Sequence, residues 1–114
     1  MLERKFRLGK QQSVARVYKK GRTARAGSLS IRYLANNQED SRLTVVVSKK
    51  VAKSAVTRNR IRRRLSETLR HRWADITPGV DIIVTAYEVN LATVNQNQLN
   101  QLIDQLLTEA QLLK

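Results

Sequence analysis

Residues 42–73 read RLTVVVSKKVAKSAVTRNRIRRRLSETLRHRW, and two periodicities meet within them. The leading part, residues 42–49 (RLTVVVSK), is β-branched and apolar, which predicts a buried strand. Residues 54–72 contain neither Pro nor Gly, and Ile61, Leu65, Leu69 and Trp73 recur every four residues. That spacing draws an apolar stripe along a helix. Ser54 or Thr57 can cap the helix start, because a short side-chain oxygen there accepts a free backbone N–H.

Reading outward from this strand and helix, residues 10–20 (KQQSVARVYKK) place Val14, Val17 and Tyr18 at i, i+3 and i+4 before Gly21. This predicts a short amphipathic helix with a glycine stop. Residues 28–35 (SLSIRYLA) alternate Leu29, Ile31 and Tyr33 with Ser30, Arg32 and Leu34, as a half-buried strand does. Asn36 to Asp40 reads as a polar turn. On the other side, Pro78-Gly79 is a turn and residues 80–87 (VDIIVTAY) are another buried strand. Leu99, Leu102, Ile103, Leu106, Ala110 and Leu113 mark a C-terminal helix whose other face is Gln, Asn, Asp and Thr. Residues 1–9 are basic and without periodicity, which predicts a flexible start. The order helix, strands, helix, strand, helix gives an α+β chain built as a two-layer α/β sandwich. A length of 114 residues fits a single domain, 1–114.

Charge decides the class of partner. The chain carries a formal +13, with 22 Lys and Arg against 9 Asp and Glu. Residues 1–72 hold 21 of those cations and 4 of the acids, whereas residues 73–114 are net negative. So dense a positive field repels itself in a compact chain and calls for a polyanion. Nucleic acid is the first candidate and an anionic membrane surface the second. The N-terminus MLERKFRLGK has no apolar core of a secretory signal, and no apolar run nears the roughly 20 residues of a membrane span. A cytoplasmic protein is expected. With no Cys and one His, a thiolate zinc site, a cysteine nucleophile and a multi-histidine metal site are excluded.

The basic residues concentrate at the strand–helix junction. Projected at 100° per residue, Ile61, Leu65 and Leu69 point inward, and Asn59, Arg60, Arg63 and Arg70 point away. Arg58 and Arg62 lie nearer the apolar stripe, and Arg64 flanks its opposite side. Guanidinium groups grip phosphate oxygens in pairs and stack on bases. Lys49, Lys50 and Lys53 add point charges beside the helix N-terminus, itself suited to phosphate. A merely solvated face normally mixes acids among its bases, but Glu67 is the only acid between Lys49 and Arg72. RNA binding by Lys49, Lys50, Lys53, Arg58, Asn59, Arg60, Arg62, Arg63 and Arg64 is therefore expected.

The run VSKKVAKSAVTRNRIRRRLSE closely resembles the hallmark of the bacterial ribonuclease P protein family, in which Arg-Asn-Arg follows a V-S-K-K turn. Here the triplet is Arg58, Asn59 and Arg60, followed by Arg62, Arg63 and Arg64. The resemblance extends over the first helix with its Val17-Tyr18 pair, Gly21, the strand order and the apolar C-terminal helix. It implies an αβββαβα order, a ribosomal protein S5 domain 2-like sandwich with a left-handed βαβ crossover. General topology rules alone favour the right-handed form. It implies a subunit whose catalytic RNA, with Mg2+ held through that RNA, removes the 5′ leader from precursor tRNA. It implies a leader cleft between the first helix and the sheet, lined by Val14, Tyr18, Arg32 and Ser48, with Arg58, Asn59 and Arg62 at its edge. In the family phenylalanine is usual where Val14 stands and arginine is frequent where Tyr87 stands.

Trp73 reads as core and His71 as a solvated helix residue. Asp75, Asp81, Glu88, Asp104 and Glu109 are scattered, unlike the clustered carboxylates of a two-metal nuclease. No catalytic and no metal-binding residue is therefore assigned to the protein. The alternative function is a ribosomal or ribosome-assembly protein. A DNA-binding regulator lacks helix-turn-helix spacing, and a membrane-surface protein lacks bulky apolar residues opposite its basic face. Neither DNA nor membrane is an expected partner.

Overall fold

The computed structural model describes residues 4–9 and 11–114. Helix α1 is Gln11–Lys20, α2 is Ala55–Arg72 and α3 is Gln96–Glu109. The strands are β1 (Arg22–Ala26), β2 (Leu29–Ala35), β3 (Arg42–Val47) and β4 (Val80–Ala86). They form one sheet in the order β1-β2-β4-β3. β1 and β4 flank β2 antiparallel, while β3 and β4 run parallel and are joined through α2. This is the expected αβββαβα order.

Alternation along the strands sends one set of side chains to each face. Leu29, Ile31, Leu43, Val47, Ile82, Val84 and Ala86 meet Ile61, Leu65 and Leu69 of α2 and Leu99, Ile103, Leu106 and Leu107 of α3 in the main core. Leu, Ile, Val and Ala fill it almost alone, so α2 and α3 make one layer over the sheet. The opposite residues, Ile83 with Leu34 and Val46, take α1 through Val17 and Val14, and Leu8 joins them. Helix α1 therefore sits on the other face, and the rest of that face stays open. Trp73, read as core, is partly buried and packs against the main cluster beside Phe6, with ring centroids 5.8 Å apart.

The stretch 1–9, expected flexible, needs correction over its described part; residues 1–3 lie outside the described residues. Arg4–Phe6 form a 3-10 turn, Arg7 bridges Leu43, and the Leu8 N–H donates to the Leu43 carbonyl at 2.8 Å. Leu8 is buried under α1, and loss of its apolar surface from water offsets the ordering of the segment. No periodicity marks so short a segment, which is why the sequence reads as loose there.

The end of the sheet where β3 and β4 begin is tied by polar groups. Asp81, 1% exposed, accepts from Arg42 Nε and Nη2 at 2.8 and 2.7 Å and from Asn36 Nδ2 at 2.9 Å. The Ser41 hydroxyl donates to the Thr77 carbonyl and accepts the Val80 N–H. At the end of α1, Gly21 approaches two backbones. An added Cβ would lie 2.4 Å from the Val17 carbonyl oxygen and 3.0 Å from that of Tyr33. Neither oxygen sits on a side chain that can swing away. Gly21→Ala is expected to destabilise by about 1–3 kcal/mol, as other overpacking does. Urea unfolding measures it as a lowered midpoint at constant slope; an unchanged midpoint would mean α1 shifts freely on the sheet.

Candidate nucleic-acid interface

Where β3 ends, the chain must turn sharply into α2. The Ser48 carbonyl accepts the N–H groups of Val51 and Ala52 at 3.1 and 3.4 Å, closing that turn. Arg58 folds back over its own helix start and donates from Nη1 to the Ala52 and Lys53 carbonyls, both at 2.8 Å. Ser54 caps α2 by accepting the Thr57 N–H. The turn is thus held from inside, and Lys49, Lys50 and Lys53 are left exposed beside the positive end of the helix.

Along α2 the arginines divide by what they touch. Arg62 donates to Asn59 Oδ1 at 2.6 Å, which fixes both side chains on one side of the helix. Arg60 and Arg63 are exposed and have no polar partner among the described residues. Arg64 reaches inward instead: Nη1 donates to the Leu91 carbonyl at 2.8 Å and Nη2 to the Val94 carbonyl. It clamps α2 to the 3-10 turn Val89–Ala92 and the loop after it, a role the sequence did not suggest. Arg62 and Arg63, with Ser66, also border a recess of about 300 Å³ against Thr44 and the Arg7–Gly9 segment.

The open face of the sheet forms a second basic surface. Tyr18 of α1 is 44% exposed, and the Arg32 guanidinium lies 5.5 Å from its ring centre while Nη1 donates to the Tyr18 carbonyl at 3.1 Å. The two residues expected in one cleft do meet. Val14 is partly buried against the small core under α1, and Ser48 lies beyond β3 at the far end of the sheet. A further group extends the face. Tyr87 is 44% exposed, its hydroxyl is 2.9 Å from Ser30 Oγ, and the Arg25 guanidinium lies 4.7 Å from its ring centre. Arg25, opposite Ser30 in the ladder, supplies a cation beside Tyr87. Sequence reasoning missed Arg25 because β1 was not recognised as a strand.

Acids along α2 are few and are engaged by its arginines. Glu67 keeps its charge to low pH, its pKa lowered to about 2 chiefly by a hydrogen bond from the Arg70 guanidinium. Arg72 pairs with Asp104 of α3, which raises its own pKa. Among the described residues no three His, Asp or Glu side chains are grouped to hold a metal ion. No helix among them is long and apolar enough to cross a membrane.

The chain and its fold have relatives among known proteins. The sequence profile described as Ribonuclease P matches residues 2–111. The chain belongs to the ribonuclease P protein family. A ribonuclease P protein component from Roseiflexus sp. is 38% identical over 99% of this chain and 92% of its own length. One from Pseudanabaena sp. is 36% identical over 99% and 97%. The ribonuclease P protein of Staphylococcus aureus superposes with a TM-score of 0.83 at 27% identity, covering 96% of this chain and 98% of its own. That of Thermotoga maritima, 24% identical, shares the fold with a TM-score of 0.79 over 89% and 94%. These solved relatives thus keep the sheet-and-helix fold on which the two basic surfaces lie.

Proposed function

We propose that this chain is the protein subunit of ribonuclease P, working in the cytoplasm with a catalytic RNA on precursor tRNA. The observation that carries the reading is the pairing of two basic surfaces on one sheet-and-helix frame. One is the Lys49–Lys53 turn with α2, and the other is the open face carrying Arg32 over Tyr18. The first neutralises phosphates of the folded RNA partner. Lys49, Lys50, Lys53, Asn59, Arg60, Arg62 and Arg63 supply it, while Arg58 and Arg64 chiefly hold the frame. The second takes the single-stranded 5′ leader, whose bases stack on Tyr18 and whose phosphates meet Arg32. Val14 gives an apolar floor where an aromatic would give a platform, and stacking on an aromatic is worth roughly 1–3 kcal/mol per base.

The described residues offer no carboxylate cluster for magnesium, so Mg2+ is assigned to the RNA. There it supplies the activated water and the charge stabilisation for cleavage of the phosphodiester. The protein's own contribution is to hold leader and RNA together and to lower the repulsion between their phosphates. Family membership disfavours the ribosomal reading.

The decisive experiment mixes the full chain with ribonuclease P RNA and precursor tRNA at limiting magnesium. The protein alone is expected to cut nothing. With the RNA it is expected to restore cleavage at the mature 5′ end and to lower the magnesium required. Correct cleavage by protein freed of RNA, or no gain over RNA alone, refutes the reading.

A further inference from the structure

Between α2 and α3, away from the leader-facing side of the sheet, lies a groove of about 700 Å³. Arg60, Arg63, Arg64, His71 and Arg72 line one wall, with Glu67 as the only acid of the lining. The stripe from Arg60 to Arg72 runs about 18 Å along the helix. The opposite wall comes from α3, whose first turns offer uncharged amides, Gln96 and Asn100. A basic wall facing an amide wall is unlike a merely solvated helix pair, where charges of both signs are mixed.

The amides are held by a connected chain of hydrogen bonds. Buried Thr68 donates to the Arg64 carbonyl at 2.8 Å and accepts from Gln96 Nε2 at 3.0 Å. Gln96 Nε2 also donates to Asn100 Oδ1 at 2.9 Å. Both donors of Gln96 and the acceptor of Asn100 are thereby engaged. Gln96 Oε1 and Asn100 Nδ2 remain without a partner among the described residues, an acceptor and a donor side by side. Arg60 and Arg63 across from them are also unpartnered. A ligand that satisfies all four carries anionic oxygens on one edge and a group that both donates and accepts on the other. The ribose–phosphate backbone of RNA has these groups: phosphates and a 2′-hydroxyl, which DNA lacks.

We propose that the α2/α3 groove binds a backbone segment of structured RNA, with Arg60 and Arg63 on phosphates and the Gln96–Asn100 pair on 2′-hydroxyls. The inference rests on the RNA-binding reading above and adds a site that discriminates RNA from DNA. It also divides the labour along α2. Asn59 and Arg62 serve one side of the helix, Arg60 serves the side facing α3, and Arg63 stands between the two and borders both recesses.

The test compares an RNA hairpin with a DNA hairpin of the same sequence, and separately ribonuclease P RNA, as probes of the full chain. Gln96→Ala with Asn100→Ala is expected to weaken RNA hairpin binding about tenfold, as loss of two neutral hydrogen bonds would, and to leave DNA binding unchanged. Arg60→Gln is expected to weaken both hairpins alike and to lower the salt dependence of each. Both amides are exposed, and circular dichroism melting that matches wild type establishes that the variants fold. If wild type fails to bind ribonuclease P RNA, the functional reading falls with this one. If wild type binds but the double variant keeps its RNA-to-DNA ratio, the groove assignment alone falls. Unchanged RNA affinity in every variant gives the groove to another class of ligand and equally overturns it.

Discussion

Asp81→Ala is expected to lower the unfolding free energy by about 3–5 kcal/mol, the range for breaking one side of a buried ion pair. The carboxylate is 1% exposed and receives three hydrogen bonds, two from Arg42 and one from Asn36. Its removal strands a guanidinium whose side chain is only 14% exposed and frees an amide that also braces the Asn36–Asp40 turn. Domains of this size are commonly stable by about 5–15 kcal/mol, so the loss is a large fraction of the whole. The pair is not in itself the best solution for stability. Arg42→Met with Asp81→Leu, which removes both charges and keeps volume, is expected to recover most of the loss. Chemical denaturation of the three proteins decides it. A single variant within about 1 kcal/mol of wild type would show that water reaches Arg42 and solvates it.

The largest expected effect on RNA binding comes from Lys49→Ala, Lys50→Ala and Lys53→Ala together. All three are exposed at the tight turn before α2. Each phosphate contact contributes roughly 0.7–0.9 to the slope of log affinity against log salt. Losing three should flatten that slope by about 2–3 and weaken binding to ribonuclease P RNA about a hundredfold near physiological salt. Stability should hold within about 0.5 kcal/mol, or rise, since self-repulsion within the +13 chain falls. Lysines are preferred to Arg58 for this test because Arg58 binds the Ala52 and Lys53 carbonyls, and its loss would loosen the turn as well. An unchanged salt slope would place the RNA elsewhere.

Most of the architecture was legible where a single element supplies its own pattern. The stripe Ile61–Leu65–Leu69 and the cap at Ser54 appear where expected, because helical spacing and capping are local. Strand β1, RTARA, was missed. It has no large apolar residue, and Ala24 and Ala26 bury little, so its place comes from pairing with β2 rather than from its own pattern. A signal was available: Gly27-Ser28 is a two-residue loop between paired Ala26 and Leu29, with Gly27 at φ +53. At the site, Tyr18 and Arg32 come from different elements and lie together, guanidinium 5.5 Å from the ring centre. What sequence could not reveal was the direction of individual guanidinium groups. The Arg64 partners lie about thirty residues away in a turn that only the folded chain brings near, as the carbonyls of Leu91 and Val94. Val14 joins the small core because Leu8, from a segment without periodicity, helps to complete it.

The two rims of the sheet are guarded by different means. Along β3 the Arg7–Leu8 backbone occupies the outer ladder with one bridge and one hydrogen bond, so part of that rim is already filled. Along β1 the rim is short and studded with Arg22 and Arg25, which repel a like strand. Both devices keep copies of this chain from pairing strand to strand. Removing the chain through Leu8 would expose the β3 rim to just that kind of self-association.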